Sequence, residues 1–592
     1  MAHRPLLRLI LLAGLSLLNV VSLFSPIARG QSTSGDIHGI TRSPAGLLPL
    51  AQAQVLVHGV DENFDRVVTS GPDGRFSFES LKPGRYRLDA KKEGFVGSRI
   101  ITLDLTPGKS AETDLTLGAG ASSSVESQKT KPGSFMRRFF KAYADDWKAT
   151  PANGDPPPVR RWNAAPVDGP PFPFSDWPYG GSVVIGAPWT QSSPLMQALW
   201  SGPHGEAWKK SGVQIYGWLN AGCNVSTSHK SRFANFPEAY AEVPDACIPD
   251  QQVLYIERQP DTVQTDHFDW GFRVTNLYGL DYRFTTGKGY FSNQLLGKNY
   301  EYGYDLVMAY VDLYFPHVAE GMNVRIGRYI SLPDIEAQLA PNNYTYSHSI
   351  LYTFDAYTQT GINTTTRLSK HWMVQLGLSA GNDVAPWVGE PDAKPTFNGC
   401  VIYNWQEGRD NHYACVNSLN SGKYAYNNLQ SVYYTWYHKF GNSSWHTATE
   451  WWYMWEKQTP NVGPSAPPAS ASLLINGANG AFCNSPTALT CTSSEQAVVN
   501  YVEKQFSKHD YLTIRNEFFD DKQGQRTGTK TKYSEHLLGW GHWIGTTIVL
   551  RPELRFEHSY DRPAYDSPCL PCGFPGTKKS QLTFSSDAIF FF

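Results

Sequence analysis

The last twelve residues of the 592-residue chain constrain its fold more than any other segment. They run QLTFSSDAIFFF, and the positions counted back in twos from Phe592 are Phe590, Ala588, Ser586, Phe584 and Leu582. This alternation predicts a β-strand with one mostly apolar face. Such a strand, left exposed, would promote aggregation because it offers unpaired backbone groups and bare rings. The segment therefore predicts either a core strand of a soluble β-protein or the closing strand of a barrel whose outer face contacts lipid.

The beginning of the chain favours the barrel. Residues 1–30 predict a secretory signal peptide, in which Arg4 and Arg8 precede the apolar run 9–24 and the segment 28–30 (ARG) supplies the small residues of a cleavage site. No later stretch of eighteen apolar residues follows, so the sequence predicts no transmembrane helix. The mature protein is expected to be exported and to be held in the membrane by strands.

The composition fits a membrane barrel. Aromatic residues make up 14% of the chain, yet the mean hydropathy is only −0.39. Many rings without overall apolarity suit a narrow lipid-facing belt around a polar lumen and polar loops. A formal net charge of −2 argues against nucleic acid as a partner. The cysteines number 8, and an exported chain is expected to pair them as disulfides.

Two segments precede the barrel. Residues 33–118 hold short strands separated by Gly-, Pro- and Asp-rich turns, which predict an immunoglobulin-like β-sandwich. Its motifs DGRF at 73–76 and PGRY at 83–86 resemble those of the carboxypeptidase regulatory-like domain, which implies an accessory module without peptidase activity. Residues 119–205 are rich in Pro, Gly and Ser and predict a linker, with a short amphipathic helix at 134–147.

From residue 206 to 592, apolar and polar side chains alternate over one stretch after another. Alternation alone also fits a soluble sandwich, so the lengths of the connections between strands must distinguish a sandwich from a membrane barrel. Assigning strands backwards from the C-terminus, with alternating direction, gives about fourteen strands, with a range of about twelve to sixteen. One of them is placed at 265–285, and 382–427 is assigned to the fourth outer loop. All tight turns then lie at one end and all long loops at the other, which predicts an all-β, antiparallel outer-membrane β-barrel.

The cysteines provide a check on this assignment. They fall in pairs in four of the predicted outer loops, outside the predicted strands and tight turns. The expected disulfides are Cys223–Cys247, Cys400–Cys415, Cys483–Cys491 and Cys569–Cys572. Local bridges of this kind would restrict the unfolded freedom of loops that have no core of their own.

Several short motifs between 205 and 592 resemble those of the OmpL-like putative β-barrel porin family. They are VQIYGWLN at 213–220, DWGFR at 269–273, LYGLDYR at 277–283, RIGRY at 325–329 and RPELRF at 551–556. The resemblance implies an outer-membrane porin for passive diffusion of small hydrophilic solutes. The terminal Phe592 resembles the assembly signal of bacterial outer-membrane barrels, which implies the barrel-assembly machinery and outer-membrane lipid as partners.

A charged face is predicted to line the pore. Its candidate residues are Asp269, Arg273, Asp281, Arg283, Arg325, Arg551, Glu553, Arg555 and Glu557. The third outer loop, at about 331–358, is expected to fold inward and to set Asp334 and Glu336 opposite the arginines. Facing rows of opposite charge would create a transverse field that orients dipolar solutes. The same charges could instead only stabilise neighbouring strands as cross-strand pairs.

Enzyme-like signals are weak. The GLSAG motif at 377–381 matches a nucleophile elbow, but no helix begins after it. The Cys569-x-x-Cys572 motif lacks the helix onset that lowers a thiol pKa, and the histidines lack metal-ligand spacing. The sequence therefore predicts no enzyme, no metal site and no cofactor.

One alternative function stays open, a structural or adhesive outer-membrane protein anchored by its barrel. A filled lumen would favour that function, whereas an open lumen with mixed charge would favour the porin. The N-terminal sandwich is expected in the periplasm, where cell-wall glycan or a partner protein is available, and a homo-oligomer is compatible with the sequence.

Overall fold

The computed structural model describes most of the chain in fifteen stretches. They are residues 34–42, 49–60, 64–92, 98, 100–117, 133–148, 161, 185–187, 193–298, 300–331, 334–390, 392–424, 428–462, 480–569 and 575–592. The predicted signal peptide lies outside these residues. The chain divides into two compact units, Met1–Thr130 and Lys131–Phe592. In the described residues, no helix is both long and apolar enough to span a membrane.

The first unit consists of two four-stranded sheets that share one apolar core. Its strands are β1 (Gly35–Arg42), β2 (Gln54–Gly59), β3 (Phe64–Thr69), β4 (Arg75–Leu81), β5 (Gly84–Lys91), β6 (Ile101–Leu105), β7 (Ser110–Glu112) and β8 (Leu115–Thr116). One sheet has the order β4-β1-β7 with β8 beside β1, and the other has the order β3-β2-β5-β6. Gly74 in the predicted turn has φ +74°, where a side chain would be strained.

Short helices accompany the barrel in the second unit. They are α1 (Phe135–Lys148), α2 (Pro194–Trp200), α3 (Gly205–Ser211), α4 (Phe291–Gly297) and α5 (Ile350–Thr353). Two of them, α1 and α2, lie in the stretch 119–205 that the sequence predicts to be a linker. Ser193 accepts a hydrogen bond from the Met196 amide and caps α2, and Pro194 occupies its first turn.

The barrel consists of sixteen antiparallel strands, each hydrogen-bonded to the next. They are β9 (Gln214–Ser226), β10 (Cys247–Arg258), β11 (Asp269–Gly279), β12 (Gly303–Phe315), β13 (Met322–Ile330), β14 (Thr358–Arg367), β15 (Trp372–Asn382), β16 (Thr396–Trp405), β17 (Asp410–Leu419), β18 (Gln430–Lys439), β19 (Trp445–Pro460), β20 (Thr490–Gln505), β21 (Asp510–Asp521), β22 (Thr531–Ile544), β23 (Ile548–Ser559) and β24 (Ser580–Phe591). Pairing of β24 with β9 closes the sheet, and Phe592 exchanges main-chain hydrogen bonds with Gly217 at this seam.

The strand number lies at the upper end of the predicted range, and two assignments are wrong in detail. The predicted fourth outer loop contains the hairpin of β16 and β17, whose sequences TFNGCVIYNW and DNHYACVNSL are rich in polar and turn-forming residues. The predicted strand 265–285 ends at Gly279, after which Leu280–Phe284 form a 3₁₀ helix. The short and long connections nevertheless lie at opposite ends of the barrel. The reason is that two additional strands leave the up-and-down direction of all the other strands unchanged.

Three of the predicted disulfides are confirmed: Cys223–Cys247, Cys400–Cys415 and Cys483–Cys491. Their expected location in loops is wrong for most of these cysteines. Cys223 faces Cys247 across β9 and β10, and Cys400 faces Cys415 across β16 and β17. Cys491 lies in β20. Cys572 lies outside the described residues, so its pairing with Cys569 stays a prediction.

The two faces of the barrel wall differ as the alternation predicts. Along each strand, buried residues alternate with exposed or half-buried ones. The exposed positions carry large apolar side chains, including Trp270, Val311, Ile326, Ile362, Leu376, Val401, Tyr434, Val498, Ile514, Leu538, Leu550, Leu554, Phe556, Phe584 and Phe590. An apolar outer face around a polar interior is the arrangement of a transmembrane β-barrel.

Candidate functional site in the barrel lumen

Ion pairs between neighbouring strands line the inner face of the barrel. Arg273 on β11 lies directly opposite Glu257 on β10, and its Nε donates to the Glu257 carboxylate at 2.6 Å. Arg325 on β13 donates two hydrogen bonds to Asp312 on β12, at 2.9 and 2.8 Å. The strand register creates these pairs, since it sets the residues opposite each other on the buried face.

The predicted pore-lining residues occupy three different settings. Arg273, Arg325, Arg551, Glu553, Arg555 and Glu557 lie buried on strand faces. Asp281 and Arg283 are also buried, but they belong to the 3₁₀ helix after β11, so their predicted position on a strand is wrong. Asp269 lies at the tight-turn end of β11, where its carboxylate contacts Arg258 at 2.8 Å.

The third long connection, the segment 331–358, packs against the inner face of the barrel wall. Every described residue of this segment is buried. The Glu553 carboxylate accepts hydrogen bonds from the Tyr346 and Ser347 amides at 3.0 and 3.1 Å. The Arg551 guanidinium donates to the Ala340 and Asn343 carbonyls at 2.8 and 2.9 Å. These contacts join the segment 331–358 to strand β23.

The two acidic residues predicted for a constriction have different partners. Glu336 forms an ion pair with Arg515 of β21 at 3.0 Å and accepts hydrogen bonds from Ser349. Asp334 instead lies beside two other buried carboxylates, Asp355 and Glu450, with oxygen atoms within 4.8 Å of one another. Only Glu336 of the pair therefore faces an arginine among the described ion pairs, and Asp334 departs from the predicted geometry.

Burial dominates the titration of the segment 331–358. It raises the pKa of Asp334 well above its ordinary value, and the neighbouring Asp355 carboxylate adds to this effect. Burial likewise raises the pKa of Asp355 to about 6. Burial lowers the pKa of His348, which stacks on Tyr240 with 3.7 Å between the ring centroids. A proton shared among the acidic groups, or a bound cation, would relieve their mutual repulsion.

Carboxylates dominate the buried charge of the barrel unit. Among its described residues, twenty-four aspartates and glutamates are buried against nine arginines, and no lysine belongs to this set. Eight of the arginines form an ion pair at 3.4 Å or less, as Arg551 does with Asp587 and Arg328 with Asp305. The interior is therefore acidic rather than evenly mixed in charge.

Sequence reasoning missed several inner-face charges. Asp305, Asp312, Arg328, Arg515, Glu517, Glu535 and Asp587 are all buried. The signal for two of them was present in the stretch 510–521, where Arg515 and Glu517 share parity with Tyr511 and Phe519. The same period-2 argument that selected 551–557 would have placed them on the inner face.

Comparison with known families identifies both units. A family model described as "Putative beta-barrel porin-2, OmpL-like" matches residues 212–592, which is more than half of the chain. The chain belongs to this OmpL-like family. A model of the carboxypeptidase regulatory-like domain matches residues 36–118. Both resemblances stated from the sequence motifs are confirmed. No curated protein sequence matches the chain.

Solved structures similar to this OmpL-like barrel include a porin, an outer membrane channel and an outer-membrane expressed protein. An anion-selective porin from Comamonas acidovorans has 10% identity and a TM-score of 0.42, covering 64% of this chain and 99% of its own. The outer membrane channel DcaP of Acinetobacter baumannii has 11% identity and a TM-score of 0.39, with coverages of 65% and 98%. The outer-membrane expressed OmpT of Vibrio cholerae has 9% identity and a TM-score of 0.36, with coverages of 64% and 97%.

Proposed function

We propose that this OmpL-like protein is an outer-membrane porin that admits small hydrophilic solutes and prefers cations. The excess of buried carboxylates over arginines in the barrel unit carries this proposal. Ion pairs largely neutralise the arginines, so the carboxylates that are ionised and have no arginine partner set the sign of the interior potential. In a passage with low-dielectric walls, such a potential concentrates counter-ions and repels ions of like charge.

The segment 331–358 is proposed to narrow the lumen and to control its conductance. Its support is the set of polar contacts that join it to the inner wall, including those of Glu553 and of Arg551. Because all its described residues are buried, a wide passage would require these contacts to loosen. The predicted transverse field is proposed at one place only, where Glu336 meets Arg515.

The test is a reversal potential across a planar bilayer separating two potassium chloride concentrations. Cation preference is the expected result, and it should weaken in the double variant Asp334→Asn/Glu336→Gln. The matched control is Glu390→Gln, which neutralises an exposed carboxylate in the connection between β15 and β16. Anion preference in the native protein would contradict the proposal, and an unchanged reversal potential in the double variant would remove the role of these two residues.

A second candidate function is a structural or adhesive protein anchored by the barrel. The observation that favours it is the nearly complete burial of the inner face, since a wide water-filled pore would leave many of those side chains exposed. Protein that is folded, as shown by its heat-dependent shift in electrophoretic mobility, but silent in the bilayer would support the anchor and exclude the porin.

A further inference from the structure

The helix α1 (Phe135–Lys148) lies at the tight-turn end of the barrel. The Asp146 carboxylate accepts hydrogen bonds from the Thr546 amide at 2.9 Å and from the Thr547 hydroxyl at 2.8 Å, in the turn between β22 and β23. The Tyr143 hydroxyl donates to the carbonyl of Phe591, at the end of β24. These contacts fix the helix beside the seam strand, at the end that faces the periplasm in outer-membrane barrels.

One stripe of α1 exposes large apolar side chains. Met136, Phe140 and Trp147 are 53%, 61% and 52% exposed, and their spacing of four and seven residues places them on the same side of the helix. The helix contacts the barrel through the Asp146 carboxylate, the Tyr143 hydroxyl and the Trp147 indole N–H, and these contacts leave each of the three stripe side chains more than half exposed. In water, three such neighbours would form an unfavourable apolar patch.

Basic side chains flank this stripe. Arg137, Lys141 and Lys148 each follow a stripe residue by one position and are all exposed. Trp147 combines an exposed ring with an Nε1–H that donates to the Thr547 hydroxyl at 2.9 Å. An aromatic side chain with one apolar and one hydrogen-bonded part is typical of the membrane interface. Apolar and basic faces side by side are the pattern of helices that lie in the plane of a bilayer surface.

The exposed apolar side chains on the outer face of the barrel extend to the strand ends that α1 contacts. Phe590, next to the carbonyl that Tyr143 contacts, is 46% exposed on the outer face of β24. Ile544 and Leu550, on either side of the turn that Asp146 contacts, are 39% and 37% exposed. A bilayer that covers these strand residues therefore ends close to α1.

We infer that α1 is a membrane-surface binding site for the periplasmic leaflet. Met136, Phe140 and Trp147 enter the boundary between headgroups and acyl chains, about 5–10 Å deep. Arg137, Lys141 and Lys148 contact anionic phospholipid headgroups. The hydrogen bonds of Asp146 and Tyr143 couple this surface helix to the barrel and so fix the height of the barrel in the leaflet.

Site-specific quenching tests this inference on the full mature chain. All described cysteines are in disulfides, so a cysteine introduced by Phe140→Cys or by Asp145→Cys can be labelled with an environment-sensitive fluorophore. The protein is refolded into vesicles of phosphatidylcholine with brominated acyl chains, with or without phosphatidylglycerol. Folding of each variant is verified by heat-dependent mobility. Asp145 is the matched control, because it is exposed about 140° around α1 from Phe140 and its ion pair with Lys141 keeps it on the polar face of the helix.

The expected result is several-fold stronger quenching by brominated lipid at position 140 than at position 145, with the reverse order for aqueous iodide. A label at position 140 that iodide quenches as strongly as the control would overturn the inference. A label shielded from both quenchers would overturn it as well, because protein rather than lipid would then cover the stripe. The charge-reversed variant Arg137→Glu/Lys141→Glu should lose the extra lipid quenching produced by phosphatidylglycerol, and equal quenching in both lipids would remove the headgroup contact.

Discussion

Glu553 shows how a buried carboxylate can accept the main-chain hydrogen bonds that a helix or strand would otherwise satisfy. Its oxygens accept hydrogen bonds from the amides of Tyr346 and Ser347 and from the Ser585 hydroxyl. Glu517 does the same for the amide of Ile350, at 2.8 Å, and for that of Leu351. Irregular backbone and the first turn of a helix such as α5 have no main-chain partner for their N–H groups, so side chains must accept these hydrogen bonds. Carboxylates on the inner face of the barrel strands thus bind the main chain of the segment 331–358 by hydrogen bonds.

The substitution Glu553→Ala should loosen this segment. Each amide left unpaired in the interior costs about 1–3 kcal/mol, so the contacts between the segment and β23 weaken while the wall remains paired. Single-channel recording should therefore show larger or more frequent openings than in the native protein. Glu390→Ala is the control, because its carboxylate is exposed. Native conductance in Glu553→Ala would show that these hydrogen bonds do not restrain the segment.

At this scale, the sequence predicts which face a residue occupies but not its partner. Period-2 alternation is a local property of each strand, and it correctly places Arg551 and Arg555 on the buried face. Whether Arg551 meets a loop carboxylate or Asp587 depends on the register between β23 and β24, which no local pattern reveals. Asp334 illustrates the same limit, since Asp355 approaches it from the other end of the segment 331–358 and Glu450 from β19.

The segment 331–358 should respond to pH. Burial raises the pKa of Asp355 to about 6, above its ordinary value, so the neutral acid is the form that favours the packed segment. This contribution is complete below about pH 4 and is lost as the pH rises through 6; the shift corresponds to about 3 kcal/mol. Conductance should therefore increase between about pH 4 and pH 7.

The variant Asp355→Asn is the matched test of this pH response. It keeps the size of the side chain and removes its ionisation, so the increase in conductance with pH should become smaller. Circular dichroism at both pH values would verify that the barrel stays folded. An identical pH profile in the native protein and in Asp355→Asn would assign the response to other groups.

The hairpin of β16 and β17 carries its own covalent link. Cys400 and Cys415 are 15 residues apart in sequence and face each other across the two strands. A bridge that closes a loop of this length stabilises a fold by about 3 kcal/mol. Cys400→Ser/Cys415→Ser should lower the urea midpoint without changing strand content by circular dichroism. The variant Cys223→Ser/Cys247→Ser removes the corresponding bridge between β9 and β10, next to the seam, and allows the two bridges to be compared. An unchanged urea midpoint in both variants would show that the bridges do not stabilise the barrel.

For the whole molecule, the division into two units predicts how truncation acts. The first unit has a complete apolar core, so deleting residues up to Thr130 should leave the urea midpoint of the barrel unchanged. Deleting residues up to His204 also removes α1 and α2 with the hydrogen bonds of Asp146. That longer deletion should destabilise the barrel by about 1–3 kcal/mol. Equal midpoints for the two truncated proteins would show that α1 contributes nothing to barrel stability.

The architecture was predictable from the distribution of turns, whereas the number of strands was not. Short and long connections alternate along the chain, which indicates a barrel without any knowledge of which strands pair. The hairpin β16–β17 was missed because Asn398, Gly399 and Asn411 interrupt the apolar alternation of their strands. Inside a closed sheet, hydrogen bonds to both neighbours stabilise strands whose own β-propensity is modest.

The seam between β24 and β9 has a consequence for biogenesis. Phe584 pairs with Val225, so the two strands that complete the cylinder come from opposite ends of the barrel sequence. Until they meet, each presents a full row of unsatisfied donors and acceptors, and contacts this distant in sequence form slowly. Until β9 and β24 pair, the nascent chain therefore has to be shielded from the addition of strands of other proteins to these open edges. A soluble peptide with the sequence of β24 would compete for the same edge of β9, which makes closure the step at which assembly is open to inhibition.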